Sequence, residues 1–176
     1  MPAQTPSRRE LQAEDLYGLA DVLHGPNPLH AICGSLEKLT AEVIGHRLFT
    51  VMRFDSERSE MQRIHSSMPA VYPAGGRKQK KATKWADQVL GEMKVFRGNA
   101  PEEIVAAFDD HETILGLGLG SVINVPIVFE GRCVGTMNLL HQAGWYRPED
   151  ENTGLGLASF LIPVLVADRF YPPGHV

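Results

Sequence analysis

The chain has 176 residues, 43% of them hydrophobic and 22% charged, which favours one globular domain over a disordered or membrane-spanning protein. The formal net charge is −4, and because residues 77–84 hold five basic residues and no acid, the remainder of the chain carries a net charge of −9. A generally acidic chain argues against nucleic acid as a partner.

Two amphipathic helices are predicted before any strand. Residues 8–24 place their leucines largely on one side of a helix, which Gly25 and Pro26 end. Asn27 and Pro28 are of the types that favour a helix cap and a first helical position, so a second helix is predicted from there to Gly45. The N-terminal segment has no apolar core and no small-residue cleavage site, so we expect a cytoplasmic protein.

The hydrophobic period changes from 3.6 to 2 after this second helix. Residues 48–54 and 60–66 therefore predict a β-hairpin. Residues 67–84, with two prolines and a Gly-Gly pair, predict a long loop. The loop is either solvated, or a flap in which Arg77 or Lys78 meets an anionic ligand. Tyr72 and Trp85 flank its basic part, either as packing anchors or as groups that stack on a ligand.

Short elements follow this loop. Residues 83–93 predict a helix and residues 94–98 a strand. The spacing of Asn99 and Glu102 predicts a capping box at the start of another helix. His111 stands among acidic residues, which indicates either a solvated acidic edge or a contact with a pocket.

A last helix is predicted from Pro148 to about Phe170, with acidic residues in its first turn. The apolar run within it, residues 155–167, is too short to cross a bilayer. The apolar residues of this run cover more of the helix surface than a single amphipathic stripe, which indicates burial on more than one side.

The segments "SVINVPIVF" (121–129) and "CVGTMNLL" (133–140) predict two adjacent strands, and each contains one asparagine, an unusual residue in a strand. A two-residue turn at Glu130 and Gly131 would place the two asparagines on opposite faces, and it requires Glu at positive φ. We therefore predict a three-residue loop, 129–131, with Val128 opposite Arg132.

In that register one face carries Val122, Asn124, Val134, Thr136 and Asn138. An apolar face with a few convergent polar groups is typical of a small-molecule pocket. The alternative is that these groups hydrogen-bond to nearby loop backbone in an ordinary core.

Other motifs predict no catalytic or metal site. The stretches "GLGLGS" (116–121) and "GLGLAS" (154–159) do not follow a strand and open a helix, as a phosphate-binding fingerprint does. Cys33 and Cys133 are too isolated for a disulfide framework and are predicted to be buried thiols. The seven histidines show no metal-ligand spacing.

Residues 28–168 resemble a GAF domain. The most specific part is "LGLGLGSVINVPIVFEGRCVGTMNLLH" (115–141), with its Ser-opened strand, Val-Pro-hydrophobic end, Gly turn and Gly-Thr-hydrophobic-Asn-Leu strand. The following "WYRPEDENTGLGLASFLIPVLVA" (145–167) is similar to the pre-helix loop and final helix of that family.

This resemblance implies an α+β fold with a six-stranded antiparallel sheet. The N- and C-terminal helices would lie on one face, and short helices and loops would enclose a ligand pocket on the other. It divides the chain into an N-terminal helical extension (1–27), a GAF-like domain (28–170) and a C-terminal tail (171–176).

The resemblance also separates this chain from specialised members of the family. The Asn-Lys…Phe…Asp-Glu signature of cyclic-nucleotide binders is absent, and neither cysteine is followed by the His that often accompanies a bilin attachment site. The loop before the Ser-opened strand lacks the cysteine of free methionine sulfoxide reductases. We therefore expect no enzymatic activity, and the sequence names no cofactor.

We expect a small-molecule sensor that signals through its terminal helices, with a cover formed by residues 66–97. An oligomerisation module with a vestigial pocket is the alternative, and a redox enzyme is a weaker one. A homodimer is expected, with neither nucleic acid nor membrane as partner. The predicted ligand-binding residues are Val122, Asn124, Thr136, Asn138, Ser66, Tyr72, Arg77, Trp85 and His111.

Overall fold

The structure is a computed structural model that describes residues 8–170, with side chains described as far as residue 167. Its elements in chain order are α1 (Ala13–Val22), α2 (Pro28–Val43), β1 (Leu48–Asp55), β2 (Glu60–Ser66), β3 (Arg77–Gln79), α3 (Lys84–Ala86), a π-helical turn (Asp87–Gly91), β4 (Phe96–Gly98), α4 (Pro101–Ala107), α5 (His111–Gly116), β5 (Ser121–Phe129), β6 (Arg132–His141), α6 (Glu149–Ala158), a 3₁₀ turn (Ser159–Leu161) and α7 (Ile162–Phe170).

The six strands form one sheet in the order β3-β2-β1-β6-β5-β4, and every neighbouring pair is antiparallel. The α+β fold predicted from the sequence is therefore confirmed. The edge strand β3 lies inside the segment that was predicted to be loop. It has only three residues, all polar and exposed, so hydrophobic periodicity gives no signal for it.

One face of the sheet packs against the terminal helices. Alternate residues of β5 and β6 point to this side and are fully buried. They share one apolar cluster with α2, α6 and the turn that precedes α7. Among its members are Ile32, Leu36, Phe49, Ile123, Val125, Ile127, Met137, Leu139, Leu157 and Leu161.

The opposite face carries a smaller apolar cluster. Leu48, Val122 and Leu140 of the sheet pack there against residues of α4 and α5, including Ile104 and Ile114. The small size of this second cluster leaves space over the centre of the sheet, where the candidate site lies.

The first helix is shorter than predicted and begins at Ala13. Residues 8–12, which precede this helix, are held by charge, because the Arg8 guanidinium donates to both carboxylate oxygens of Asp150 at 2.8 and 2.9 Å. Both side chains of this ion pair are about nine-tenths buried. Leu19 of α1 belongs to the main core, so α1 packs against the same body as the sheet.

Trp145 connects this N-terminal segment to the core. Its ring lies under the guanidinium of Arg8, stacks on His141 with 3.6 Å between centroids, and donates from Nε1 to the Ile44 carbonyl at 2.9 Å. Burial, aided by the nearby cations Arg47 and Arg8, lowers the pKa of His141 to about 4. The imidazole is therefore neutral at pH 7.

Both predicted helix caps differ from the observed ones. Asn27 precedes α2 as expected, but its backbone is left-handed and its side chain makes no capping bond. At α4 the acceptor is Glu103 rather than Glu102, since its Oε2 accepts from the amides of Asn99 at 2.7 Å and Ala100 at 3.0 Å.

The Asn99 side chain instead exchanges two hydrogen bonds with the backbone of Tyr146, at 2.7 and 3.1 Å. The predicted cap residue thus joins β4 to the loop before α6.

The predicted last helix is divided in two by a 3₁₀ turn. Pro163 has no amide hydrogen, and its ring would clash with the carbonyl four residues earlier in a continuous α-helix. The chain therefore tightens at Ser159–Leu161 before α7 starts. The stretch 154–159 lies within this region and adopts helical structure.

Within residues 8–170, no helix combines the length and apolar character needed to cross a membrane. The proposed division at residue 27 stays a prediction, and the tail 171–176 lies outside the described residues.

Candidate ligand-binding site

The turn between β5 and β6 is the two-residue form, so the predicted three-residue loop is wrong. Phe129 pairs with Arg132, and Glu130 and Gly131 have φ of 49° and 69°. The connection is a type I′ turn in which Glu occupies a position that usually favours Asn, Asp or Gly.

A β-bulge compensates for the shorter turn. Val128 pairs with Cys133 but Ile127 pairs with Gly135, so Val134 is an extra residue on β6. The register beyond the bulge places Asn124 directly opposite Asn138. The two asparagines therefore share a face, as predicted, although the predicted mechanism was wrong. Val134 itself packs with the helix-side core, contrary to its predicted face.

A chain of buried hydrogen bonds runs across this face. The indole of Trp85 donates to Oδ1 of Asn124 at 2.8 Å, and Nδ2 of Asn124 donates to Oδ1 of Asn138 at 2.7 Å. Nδ2 of Asn138 then donates to the hydroxyl of Thr50 at 3.1 Å. These hydrogen bonds connect side chains of α3, β5, β6 and β1 in one continuous chain across the sheet.

A cavity of about 140 Å³ lies over this chain. The sheet forms its floor, and side chains from the 67–85 segment and from the α4–α5 region form its cover. Its lining consists of Leu48, Thr50, Met52, Arg63, Tyr72, Lys78, Trp85, Phe108, Asp110, Ile114, Val122, Asn124, Thr136, Asn138 and Leu140.

One polar group in the floor is unpartnered. Thr136 is fully buried, and its hydroxyl makes no hydrogen bond with any residue that the structure describes. An unpaired buried hydroxyl costs about 1–3 kcal/mol, so a group of this kind is uncommon in a finished core.

Charged groups form one wall of the cavity. Asp110 accepts a hydrogen bond from the Tyr72 hydroxyl at 3.2 Å and lies 3.8 Å from the ammonium of Lys78. The guanidinium of Arg63 lies 5.0 Å from the Tyr72 ring centroid and donates to the Pro73 carbonyl at 3.2 Å. Burial, together with the carboxylate of Asp110, raises the pKa of Tyr72 to about 12.

A second cavity of about 110 Å³ adjoins the first on the outer side, and Met52, Lys78, Trp85 and Phe108 line both. The ammonium of Lys80 lies 3.8 Å from the Trp85 ring centroid. Burial and the neighbouring Lys78 lower the pKa of Lys80 to about 8. The shared side chains therefore form the partition between an inner and an outer compartment.

Six of the nine predicted site residues line the inner cavity: Val122, Asn124, Thr136, Asn138, Tyr72 and Trp85. Their contact with a ligand stays a prediction.

The other three predicted residues do not line it. Ser66 accepts a hydrogen bond from the amide of Met68, Arg77 pairs with Glu60 on the exposed edge, and the His111 ring bonds to the Phe108 carbonyl.

Sequence reasoning missed three polar residues of the lining: Thr50, Arg63 and Asp110. It named Lys78 only as an alternative to Arg77 for contact with an anionic ligand, and Lys78 lines the cavity. Thr50 and Arg63 come from the first hairpin, whose faces the sequence analysis did not assign. Both residues alternate along their strands with residues that face the core, and this alternation would have predicted which side of the sheet they occupy. Asp110 was considered only as a neighbour of His111.

Neither cysteine has the environment of a reactive thiol. Burial raises the pKa of Cys33 to about 12 and also raises that of Cys133, so the thiolate form is disfavoured at both positions. The part of the chain that the structure describes contains no group of three or more side chains suited to holding a metal ion.

Solved structures share this architecture over almost their whole length. The GAF domain of a phosphoenolpyruvate-protein phosphotransferase from Coxiella burnetii aligns with a TM-score of 0.73 at 16% identity, covering 89% of this chain and 94% of that one. The fold is that of a GAF domain.

Two further GAF domains align similarly. One, from a two-component sensor histidine kinase of Bacillus halodurans, has a TM-score of 0.63 at 11% identity and covers 83% of this chain and 96% of that one. The other, from a cyanobacterial phytochrome, has a TM-score of 0.67 at 16% identity and covers 93% of this chain and 100% of that one. At such identities the likeness to other GAF domains establishes the fold.

The sequence itself matches no family model, and no curated protein is significantly similar to it.

Proposed function

We propose that this GAF domain is a sensor that binds a small molecule in the inner cavity and transmits its occupancy to the terminal helices. The observation that carries the proposal is the unpartnered Thr136 hydroxyl beside the Asn124–Asn138 hydrogen-bond chain, in a cavity with apolar walls. A ligand that hydrogen-bonds to Thr136 would remove the cost of leaving that hydroxyl unpaired.

The cover of the cavity supports reversible binding. Trp85 is joined to the floor through Asn124, and ion pairs join Lys78 to Asp110 and Lys81 to Asp109 at the rim. These rim contacts are exposed, so each contributes little to stability and can open without unfolding the sheet.

The same strands connect the cavity floor to the terminal helices. Asn124 is followed by Val125, which packs so closely under α6 that a Cβ added to Gly154 would lie 2.9 Å from its Cγ2. Thr136 follows Gly135, where an added Cβ would lie 2.9 Å from Leu165 of α7. A small displacement of the floor would therefore shift both helices.

The known neighbours agree with a sensory role. The two additional solved GAF domains described above come from a sensor histidine kinase and from a phytochrome, the second with phycocyanobilin bound. For this chain we propose only that it responds to a ligand, and not that it binds phycocyanobilin. A cytoplasmic location is part of the same proposal.

Ligand release followed by mass spectrometry, combined with a thermal-shift screen of metabolites, tests this proposal. Binding in the cavity should raise the melting temperature of the wild-type chain. Asn138→Leu should abolish that rise, because it removes the central link of the polar chain.

Gln142→Leu is the matched control, since it makes the same amide-to-leucine change at an exposed position outside the cavity. Equal responses of the two variants, or no stabilisation by any metabolite, would contradict ligand sensing in this cavity.

A homodimerisation module is a second candidate, favoured by exposed apolar side chains on α1. Tyr17 is 76% exposed and Leu16 is 38% exposed, on a helix that already covers the core with Leu19. Light scattering should then give the mass of two 19.4 kDa chains, and Tyr17→Glu should give one. Val71→Glu places the same charge at an exposed apolar residue near the cavity cover and should leave the dimer intact. A wild-type monomer would contradict this candidate.

A further inference from the structure

Thr136 and Arg63 belong to one row of side chains across the sheet. Met52 of β1 pairs with Thr136 of β6 on one side and with Arg63 of β2 on the other. Neighbouring strands lie roughly 4.8 Å apart, so the backbones of Thr136 and Arg63 are about 10 Å apart. Only the flexible side chain of Met52 stands between them in this row.

Arg63, at the β2 end of this row, has an N–H donor without a hydrogen-bond partner. Its Nη1 bonds to the Pro73 carbonyl, and its Nε is buried without a hydrogen-bond partner among residues 8–170. A guanidinium has five N–H donors in a fork that matches a carboxylate. The row thus has an unpartnered hydroxyl at one end and an unpartnered guanidinium donor at the other.

The charges that line the inner cavity do not balance. Arg63 and Lys78 are positive and Asp110 is negative, which leaves one positive charge. Lys80 adds a further cation on the outer side of Trp85, where Asp109 and Lys81 compensate each other. A partly desolvated net charge of +1 is stabilised by a ligand with one negative charge.

Size and apolar walls restrict the ligand further. A cavity of about 150 Å³ accommodates benzene, so the 140 Å³ observed here suits a molecule of roughly six to eight non-hydrogen atoms. Leu48, Ile114, Val122 and Leu140 provide contacts for a short carbon chain. An inorganic anion would leave these walls and the Thr136 hydroxyl without a partner.

We propose that the inner cavity binds a short-chain monocarboxylate that carries a hydroxyl or oxo group. The carboxylate of the ligand binds Arg63, and Lys78 assists this contact. The hydroxyl or oxo oxygen of the ligand hydrogen-bonds to Thr136. The carbon chain lies over Met52 between the apolar walls. This inference rests on the proposed sensing function and names the class of ligand for it.

Titration calorimetry and thermal shift on the full chain test this assignment. The probes are 3-hydroxybutyrate, 3-hydroxy-3-methylbutyrate and 4-oxopentanoate, each compared with its primary amide, with butyrate and with inorganic phosphate. We expect the three acids to bind, the amides and phosphate to bind at least about tenfold more weakly, and butyrate to bind a few-fold more weakly.

Two variants locate the contacts. Arg63→Gln should weaken binding of the acids about tenfold, whereas Arg58→Gln removes the same charge from the exposed β1–β2 turn and should change affinity less than about twofold. Thr136→Val should remove the preference for 3-hydroxybutyrate over butyrate without changing the affinity for butyrate, which a merely structural role would not do.

The failure of this inference differs from the failure of the sensing function. If the neutral amides bind as well as the acids and Asn138→Leu abolishes both, the sensor stands and the monocarboxylate assignment is overturned. If none of the acids binds at millimolar concentration while another metabolite stabilises the chain through the same cavity, the assignment is also overturned. If nothing binds, both proposals fail.

Discussion

Replacing Thr136 by valine should stabilise the unliganded protein, which is the opposite of what most core substitutions do. Valine has nearly the same shape as threonine and lacks the hydroxyl, which is fully buried without a partner among the described residues. Removing an unpaired buried hydroxyl avoids a desolvation cost of about 1–3 kcal/mol. We take the lower end of this range and expect a gain of about 1 kcal/mol.

Thr40 offers a matched control for this experiment. It is also fully buried, but its hydroxyl donates to the Leu36 carbonyl at 2.7 Å within α2. Thr40→Val loses that bond and should lower the free energy of unfolding by about 1 kcal/mol. The same chemical change should therefore have opposite signs at the two positions, with a difference of about 2 kcal/mol.

Urea unfolding followed by circular dichroism measures both free energies, and thermal melts should separate the two variants by about 4–8 °C for a chain of this length. If Thr136→Val is no more stable than the wild type, or if both variants lose stability equally, the hydroxyl of Thr136 is satisfied. The reasoning that makes it a ligand contact would then be refuted.

Three further predictions concern the scaffold. Glu103→Ala removes the acceptor for two backbone amides at the start of α4 and should lower the free energy of unfolding in urea by about 1 kcal/mol. Glu102→Ala should leave that free energy nearly unchanged, and equal losses for the two variants would contradict the observed cap. Arg8→Met leaves a buried carboxylate on α6 unpaired and should lower the free energy of unfolding by about 3 kcal/mol, whereas Arg58→Met should lower it by less than about 0.5 kcal/mol. A small loss for Arg8→Met would mean that the N-terminal segment does not stabilise the core. Since the pKa of His141 is lower in the folded state than its ordinary 6.5, the unfolded state binds more protons, and stability should fall as the pH decreases from 6.5 towards 4. His141→Gln should flatten that dependence, and an unchanged slope would rule out His141 as its source.

The sequence predicted the architecture well wherever apolar periodicity was strong. The two strands that contain the asparagines are apolar and long, and the face assignment of Asn124, Thr136 and Asn138 agrees with the structure. Edge strand β3 was missed because three exposed polar residues carry no periodic signal. The terminal helix was predicted as one element because Pro163 was taken to interrupt the apolar run but not to divide the helix.

The site was predicted only in part because its charged wall is assembled from distant segments. Arg63 belongs to β2, Lys78 to the edge strand and Asp110 to the junction of α4 and α5. The pairing of β3 with β2 is what brings Lys78 beside the hairpin, and nothing local in the sequence specifies that pairing. The basic run was predicted to be either solvated or a flap in which Arg77 or Lys78 meets an anionic ligand, and of these two residues Lys78 is the one that lines the cavity.

The extra residue at Val134 makes the length of the β5–β6 turn and the register of the cavity floor interdependent. Cys133 spans this bulge with a hydrogen bond from its thiol to the Gly135 carbonyl at 3.2 Å. Regular pairing of the same residues without the bulge would place Met137 opposite Asn124 and turn Asn138 towards the helices. Deleting Val134 would instead remove the bulge and leave Asn138 opposite Asn124, because Gly135 would then follow Cys133 in the ladder. A hairpin with one residue fewer in β6 can therefore keep the same binding surface, provided that its turn still has two residues.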